Sequence, residues 1–165
     1  MCMKYINAST RCYKSITVVD NNVMSYNIPF TSIRHDNDET GITISKFSIV
    51  TNIDFLGTLN ENNKKENPLD NKDTLDFIIR LTKCSSEESK RIGYDLDCFS
   101  IDLNEMYATN QIGKACFDFL NYTRTTKVDE LELPGGVGKY VIKILVKKSN
   151  EKEYTIQSMT QFIVV

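Results

Sequence analysis

A chain of 165 residues with 41% apolar and 25% charged side chains is long enough to bury a core without disulfide staples, and its composition excludes global disorder. Its 20 Lys and Arg against 22 Asp and Glu leave a formal charge of -2, which provides no long-range field for a nucleic-acid backbone or an anionic membrane surface. The opening "MCMKYINASTRCYKS" has neither the apolar run nor the small-residue cleavage site of a signal peptide, and runs such as "FIVV" are far too short to span a bilayer, so the expected location is cytoplasmic, with no membrane contact.

Along the chain, the recurring signal is an alternation of apolar and polar residues with period two, the mark of strands with one face on a core. "KSITVVD" (14–20) is a short β-branched run. "VMSYNIPFTSI" (23–33) contains Pro29, which removes a backbone donor and places the run at an edge or a bend. In "GITISKFSIVTNIDF" (41–55) the apolar parity switches from Ile42 and Ile44 to Phe47, Ile49, Ile53 and Phe55, which predicts a bulge near Ser45 or Lys46, or else two separate strands. The stretch "NENNKKENPLDNKD" (60–73) reads as the longest polar loop. In "TLDFIIRLT", Leu75, Phe77, Ile79 and Leu81 share one face, although 72–84 also has a usable helix cap and good helix formers; strand is preferred on parity and β-branching. "SSEESKRIG" opens with a capping-box spacing, Ser85 to Glu88, sufficient for one or two helical turns. "CFSIDL" (98–103) alternates again, "NEMYATNQIGKA" (104–115) has room for a short helix, and Tyr140, Ile142, Ile144 and Val146 line one face of "KYVIKILVKK". These elements predict an all-β fold. It is a mainly antiparallel β-sandwich of about eight strands with at most one or two short helices, in a single domain over 1–165.

Several short stretches invite a chemical reading. "ELPGGVGKY" has the glycines and lysine of a phosphate loop, but the Walker pattern needs a glycine where Leu133 stands and a Ser or Thr where Tyr140 stands, and an alternating strand follows instead of a helix. It therefore reads as the corner between two strands, with glycines supplying positive φ. "HDNDETG" imitates the start of a calcium loop, yet the pattern requires a closing Glu where Phe47 stands. A calcium site built from several loops at one end of a sandwich would draw on Asp36 and Asp38 with Asp95 and Asp97; acidic turns of this kind are more often simply solvated. Cys2, Cys12, Cys84, Cys98 and Cys116 are odd in number and show no C-x-x-C pair, which argues for reduced thiols, with Cys98 and Cys116 as small buried hydrophobes. His35 is the only histidine, so a multi-histidine zinc site and a histidine relay are excluded. Lys139, Lys143, Lys147, Lys148 and Lys152, with Tyr140 and Tyr154 nearby, form a basic stretch whose simplest role is to protect a sheet edge, given the negative overall charge.

The last eleven residues, "TIQSMTQFIVV", carry no charge. Exposed strand edges are normally guarded by charge, proline or a bulge, so this strand is expected either to be internal, paired with 139–148, or to be covered by another chain. Thr160, Gln161, Phe162, Ile163, Val164 and Val165 are the candidate partner-binding residues on the second reading.

From about residue 73 onward, "LELPGGVGKYVIKILV" and "MTQFIVV" resemble small bacterial and phage-encoded β-sandwich proteins of unknown function, in which a glycine-containing corner ending in tyrosine leads into the penultimate strand. The resemblance implies a fold and no activity. No cofactor is implied. The leading functional expectation is a non-catalytic cytosolic binding module acting through protein–protein interaction or self-association. The alternatives are a small-ligand or calcium-binding module using end loops, and a hydrolase using paired carboxylates, which carry no sequence signature of their own.

Overall fold

A computed structural model describes residues 6–14, 16–19, 23–26, 29–30, 32–33, 36–38, 41–56, 72–85, 92–109, 119–133 and 135–165. The polar stretch 60–71, the capping-box run 86–91, His35, Cys2 and Cys116 lie outside these residues. In chain order the elements are β1 (Ile6–Tyr13), β2 (Ile16–Val19), β3 (Val23–Tyr26), β4 (Pro29–Phe30), β5 (Ser32–Ile33), β6 (Asp36–Asp38), β7 (Gly41–Leu56), β8 (Thr74–Lys83), β9 (Gly93–Asp102), α1 (Leu103–Thr109), β10 (Phe119–Glu132), β11 (Gly138–Lys148) and β12 (Thr155–Val164). The fold is all-β with one short helix among the described residues. The eight strands expected from pattern become twelve segments, five of which are four residues or shorter.

Two five-stranded sheets form the sandwich. The first runs β10-β7-β1-β4, with β6 beside β7, and the second runs β5-β12-β11-β8-β9. All pairings are antiparallel except the two-residue contact of β12 with β5, while β2 and β3 form a separate hairpin. Pro29 sits in β4 opposite Tyr13 at the edge of the first sheet, the position to which its missing N–H confines it. Three residues later the chain has moved to the second sheet as β5.

The parity readings carry directly into packing. Leu75, Phe77, Ile79 and Leu81 of β8 are all buried, so 72–84 is a strand; its apolar residues would not fall on one stripe of a helix. On β7 the switch in apolar parity falls at Lys46, which adopts φ 34°, outside the region β-strands occupy. Pairing with β10 resumes in unchanged register beyond it, with Val128 opposite Phe47 and Glu130 opposite Ser45. The chain is therefore kinked there without slipping, and Ile44 and Phe47 both reach the core.

The interior divides into two apolar clusters. One joins Ile6, Ile53 and Phe55 to Leu75, Phe77, Ile101, Ile144 and Val146, and is closed at its end by Leu103 and Met106 on one face of α1. Asp102 caps that helix, accepting hydrogen bonds from the backbone N–H groups of Asn104 at 2.8 Å and Glu105 at 3.2 Å. The other cluster gathers Ile44, Phe47 and Ile49 with Ile79, Leu81, Tyr140, Ile142, Phe162 and Val164. Between them, across the first sheet, lies a polar row in which Thr10 and Arg124 flank Thr51 on its two sides. The facing sheet answers with Thr160 and Asp97.

Candidate functional site

The glycine corner joins the two sheets. β10 pairs with β7 and β11 with β8 and β12, so the strands on either side of the corner do not pair with each other. Its backbone groups are spoken for: the Gly135 N–H donates to the Tyr94 hydroxyl at 3.3 Å, and the Gly136 N–H donates to the Leu133 carbonyl at 2.9 Å. The Tyr140 hydroxyl donates to the Gly136 carbonyl at 2.6 Å, and Lys83 Nζ donates to the Gly135 carbonyl. Gly136 has φ 73°, the left-handed conformation that glycine adopts at least cost. Tyr140 is fully buried, and burial together with Tyr94 pushes its phenol up to about 12. Amides already committed to protein acceptors, followed by a strand, cannot cradle a phosphate.

The acidic residues are separated between the two sheets, and Asp95 and Asp97 are already engaged. Asp36 and Asp38 belong to β6, paired with Thr43 and Gly41 of β7 in the first sheet. Asp95 and Asp97 lie on β9, the far edge of the second. Arg80 donates to both oxygens of Asp95, at 2.5 and 3.0 Å, and this pairing holds the carboxyl below its usual value against the opposing effect of burial. Asp97 is the more enclosed: burial works against its ionisation, but hydrogen bonds from Arg124 at 2.6 and 3.0 Å and from Thr126 at 2.6 Å outweigh it and lower the pKa. Arg124 also lies 4.5 Å from the centroid of Phe99, which stacks on Phe77 at 5.2 Å. The arrangement ties the edge strands β9 and β10 of the two sheets together. Among the described residues, no group of three or more His, Cys, Asp or Glu is placed to hold a metal ion.

Of the thiols, Cys12 is buried and its pKa is pushed up to about 12 by that burial. Cys98, expected as a buried hydrophobe, is exposed, because it points outward from an edge strand opposite Ile78.

The uncharged terminal strand divides its residues between core and surface. Phe162 and Val164 are core side chains, whereas Gln161 and Val165 are exposed. Thr160 accepts a 2.8 Å hydrogen bond from Thr10 across the sandwich, and Ile163 stands opposite Ser32 of β5. On one side β12 is laddered to β11 from Thr155 to Val164, the pairing with 139–148 that the sequence predicted. On the other, only Ile163 and Val164 meet β5, so the edge from Thr155 to Phe162 has no ladder among the described residues. That open edge leans on β1 of the facing sheet, where the Gln157 side-chain amide donates to the Ile6 carbonyl. β1 offers only Arg11 as a charged residue, so the β1–β12 side of the sandwich is nearly charge-free. The opposite side is heavily guarded, with Asp95, Asp97 and Asp102 on β9 and Arg124, Lys127, Asp129, Glu130 and Glu132 on β10.

The lysine-rich strand is not an edge. β11 is the middle strand of its sheet, with β12 on one side and β8 on the other, so Lys139, Lys143 and Lys147 stand on the exposed face of a fully laddered strand. Edge protection, the role expected from sequence, does not apply to them. Lys147 approaches Asp76 at 3.6 Å and the Tyr154 ring at 5.2 Å. Beside Lys143 lies a shallow depression of about 380 Å³, lined by Thr82, Lys83, Cys84, Ser85, Val141, Lys143 and Met159. These residues come from β8 and the two residues that follow it, from β11 and from β12, and nothing in their separate sequence contexts marks them as neighbours.

No protein-family model and no curated protein matches the sequence. Among solved structures the chain is similar to the CooA pilin subunit from enterotoxigenic Escherichia coli, with 10% sequence identity over 97% of each chain and a TM-score of 0.39. Among the described residues, no helix is long and apolar enough to cross a membrane.

Proposed function

We propose that the chain is a non-catalytic β-sandwich module that docks another protein along the uncharged β12 side of the sandwich. The observation that carries this reading is the contrast between the two sides of the sandwich. Exposed edges ordinarily carry charge, proline or bulges against unwanted pairing, and β9 and β10 follow that rule. Among the described residues the edge from Thr155 to Phe162 carries no charge and is not laddered to a strand, and it faces another nearly uncharged edge, that of β1. An extended partner segment would pair with the edge by adding a strand, and an uncharged edge adds no cost of desolvating charged side chains. The adjoining core residues Phe162 and Val164 hold the edge rigid, so it is ordered before binding.

Peptides of about ten residues, one strand length, displayed as a random library are the direct test. Selection should enrich uncharged sequences that alternate apolar and polar side chains, and the enriched peptides should shift the amide resonances of residues 155–161. Gln157→Lys combined with Ser9→Lys should abolish the binding. Enrichment of charged, non-alternating peptides, shifts confined to β9 and β10, or no enrichment at all would each defeat the reading.

A further inference from the structure

A lysine in the middle of a sheet has no edge to guard, so Lys143 calls for another account. Its direct partners across the ladders are Arg80 on β8 and Met159 on β12. Like charges directly opposite one another on a sheet face oppose folding. Arg80 is compensated on its far side by Asp95, but Lys143 has no ion pair among the described residues. The contrast within the strand is informative, because Lys147, four residues along, has Asp76 at 3.6 Å. Lys83, the other cation in the depression, is turned to the Gly135 carbonyl. Among the described residues, none that lines the depression is acidic.

The rest of the lining is apolar or hydroxylic. Met159 is 63% exposed, a large apolar side chain left in solvent, and Val141 is half-buried beside it. Thr82 is 8% exposed, and its buried hydroxyl has no hydrogen-bond partner among the described residues. An uncompensated cation, an exposed thioether and an unused hydroxyl thus meet in one depression. The Thr82 hydroxyl is itself buried, but one ligand chemistry would engage both the cation and the thioether.

We propose that this face binds an acidic side chain of a partner protein, the carboxylate pairing with Lys143 Nζ while an adjoining apolar side chain of the partner packs on Met159 and Val141. The inference rests on the protein-docking reading and names the partner's chemistry, but it uses the face of the second sheet and not the β12 edge. A nucleic-acid backbone would require several uncompensated cations in a row, whereas the cations nearest Lys143 are engaged, Arg80 by Asp95, Lys83 by the Gly135 carbonyl and Lys147 by Asp76. A free anion would leave Met159 and Val141 uncovered.

The test uses the full chain, labelled with nitrogen-15, and four probes: a capped Glu-Leu-Glu-Leu peptide, its Gln-Leu-Gln-Leu counterpart, inorganic phosphate, and a thymidine oligonucleotide. The Glu peptide should shift the amides of Thr82 to Ser85, Val141 to Lys143 and Met159, and should weaken in salt on the order of 1 M, where screening acts over about 3 Å. Lys143→Glu should reduce its binding by about threefold or more, as expected for an exposed ion pair turned repulsive, and should confer a preference for Lys-Leu-Lys-Leu. Met159→Ala should weaken both peptides. Equal binding of the Glu and Gln peptides overturns the proposal, as does an unaffected Lys143→Glu variant with a native spectrum. Equally strong shifts from phosphate or the oligonucleotide, or no shift at millimolar peptide, also overturn it. Shifts restricted to residues 155–161 would remove this site while leaving the edge reading intact; shifts here with no library enrichment at β12 would do the reverse.

Discussion

Asp97→Asn keeps the shape of a side chain that ties together two strands sharing no ladder, and removes its charge. The Asp97 side chain is 15% exposed and that of Arg124 34%, so the pair is neither a free surface contact nor a fully enclosed one. A hydrogen bond to a charged group contributes about 1.5–3 kcal/mol, and an exposed ion pair at most about 1 kcal/mol. With the arginine end open to solvent, the loss should be about 2 kcal/mol, since Asn can still accept one of the Arg124 bonds and the one from Thr126. For a chain of this size that lowers Tm by about 4–8 °C. The pH dependence has a definite sign. Folding depresses the Asp97 pKa below the unfolded value of 3.8, so its contribution is present above that value and is lost as pH falls through the folded pKa. Thermal unfolding followed by circular dichroism should therefore show the wild type losing more stability than the variant on acidification below 3.8. A double-mutant cycle with Arg124→Met separates the pair from the rest of the seam. A variant as stable as wild type at neutral pH, with the same acid slope, would show that β9 and β10 are held by the Phe99 stack alone.

Three further outcomes follow from buried groups. Thr51→Val should stabilise the chain by about 1 kcal/mol in urea denaturation, because Thr51 is fully buried with its hydroxyl unpartnered among the described residues; destabilisation would mean the hydroxyl has a partner in solution. The Tyr140 phenol, raised from 10 to about 12 in the fold, contributes stability that is complete below pH 10 and declines as pH rises toward 12. Tyr140→Phe should flatten that alkaline loss and cost about 1 kcal/mol at neutral pH through the orphaned Gly136 carbonyl, and an unchanged alkaline profile would contradict it. Phe162→Ala should cost about 3–5 kcal/mol, since its ring is fully buried and lies 5.5 Å from that of Phe47; a cost below about 1 kcal/mol would show that β12 does not anchor the core.

Much of the fold was legible because alternation is a local signal. It gave the inward faces of β8 and β11 residue by residue, located the irregularity of β7 within one position of Lys46, and marked the short helix after Asp102. Strand order is not local, and although the pairing of 155–164 with β11 was read correctly, two other readings that depended on it failed. Lysines on β11 look like edge guards until β8 and β12 are seen to flank it, and the corner before Tyr140 looks like a hairpin until its two strands are seen to pair elsewhere. Asp95 and Asp97 resembled candidate metal ligands because the arginines that engage them lie 15 and 27 residues away in sequence. β5, a two-residue strand in parallel pairing, is too short to announce itself. The depression beside Lys143 draws on 82–85, 141–143 and 159, a grouping that only the ladder register creates.

The order in which the strands join the two sheets sets how the chain must fold. The first sheet takes β1, β4, β6 and β7 from the first third of the sequence, then waits for β10, while β8 and β9 of the second sheet are made in between. The second sheet in turn lacks Phe162 and Val164 until β12 is synthesised. Neither apolar face can be fully shielded until nearly all 165 residues are available. Pairings this distant in sequence close slowly, typically in milliseconds to seconds, and leave half-built sheets open to misassociation meanwhile. Synthesis of the protein should accordingly depend more on protection of the nascent chain than a domain of local hairpins would.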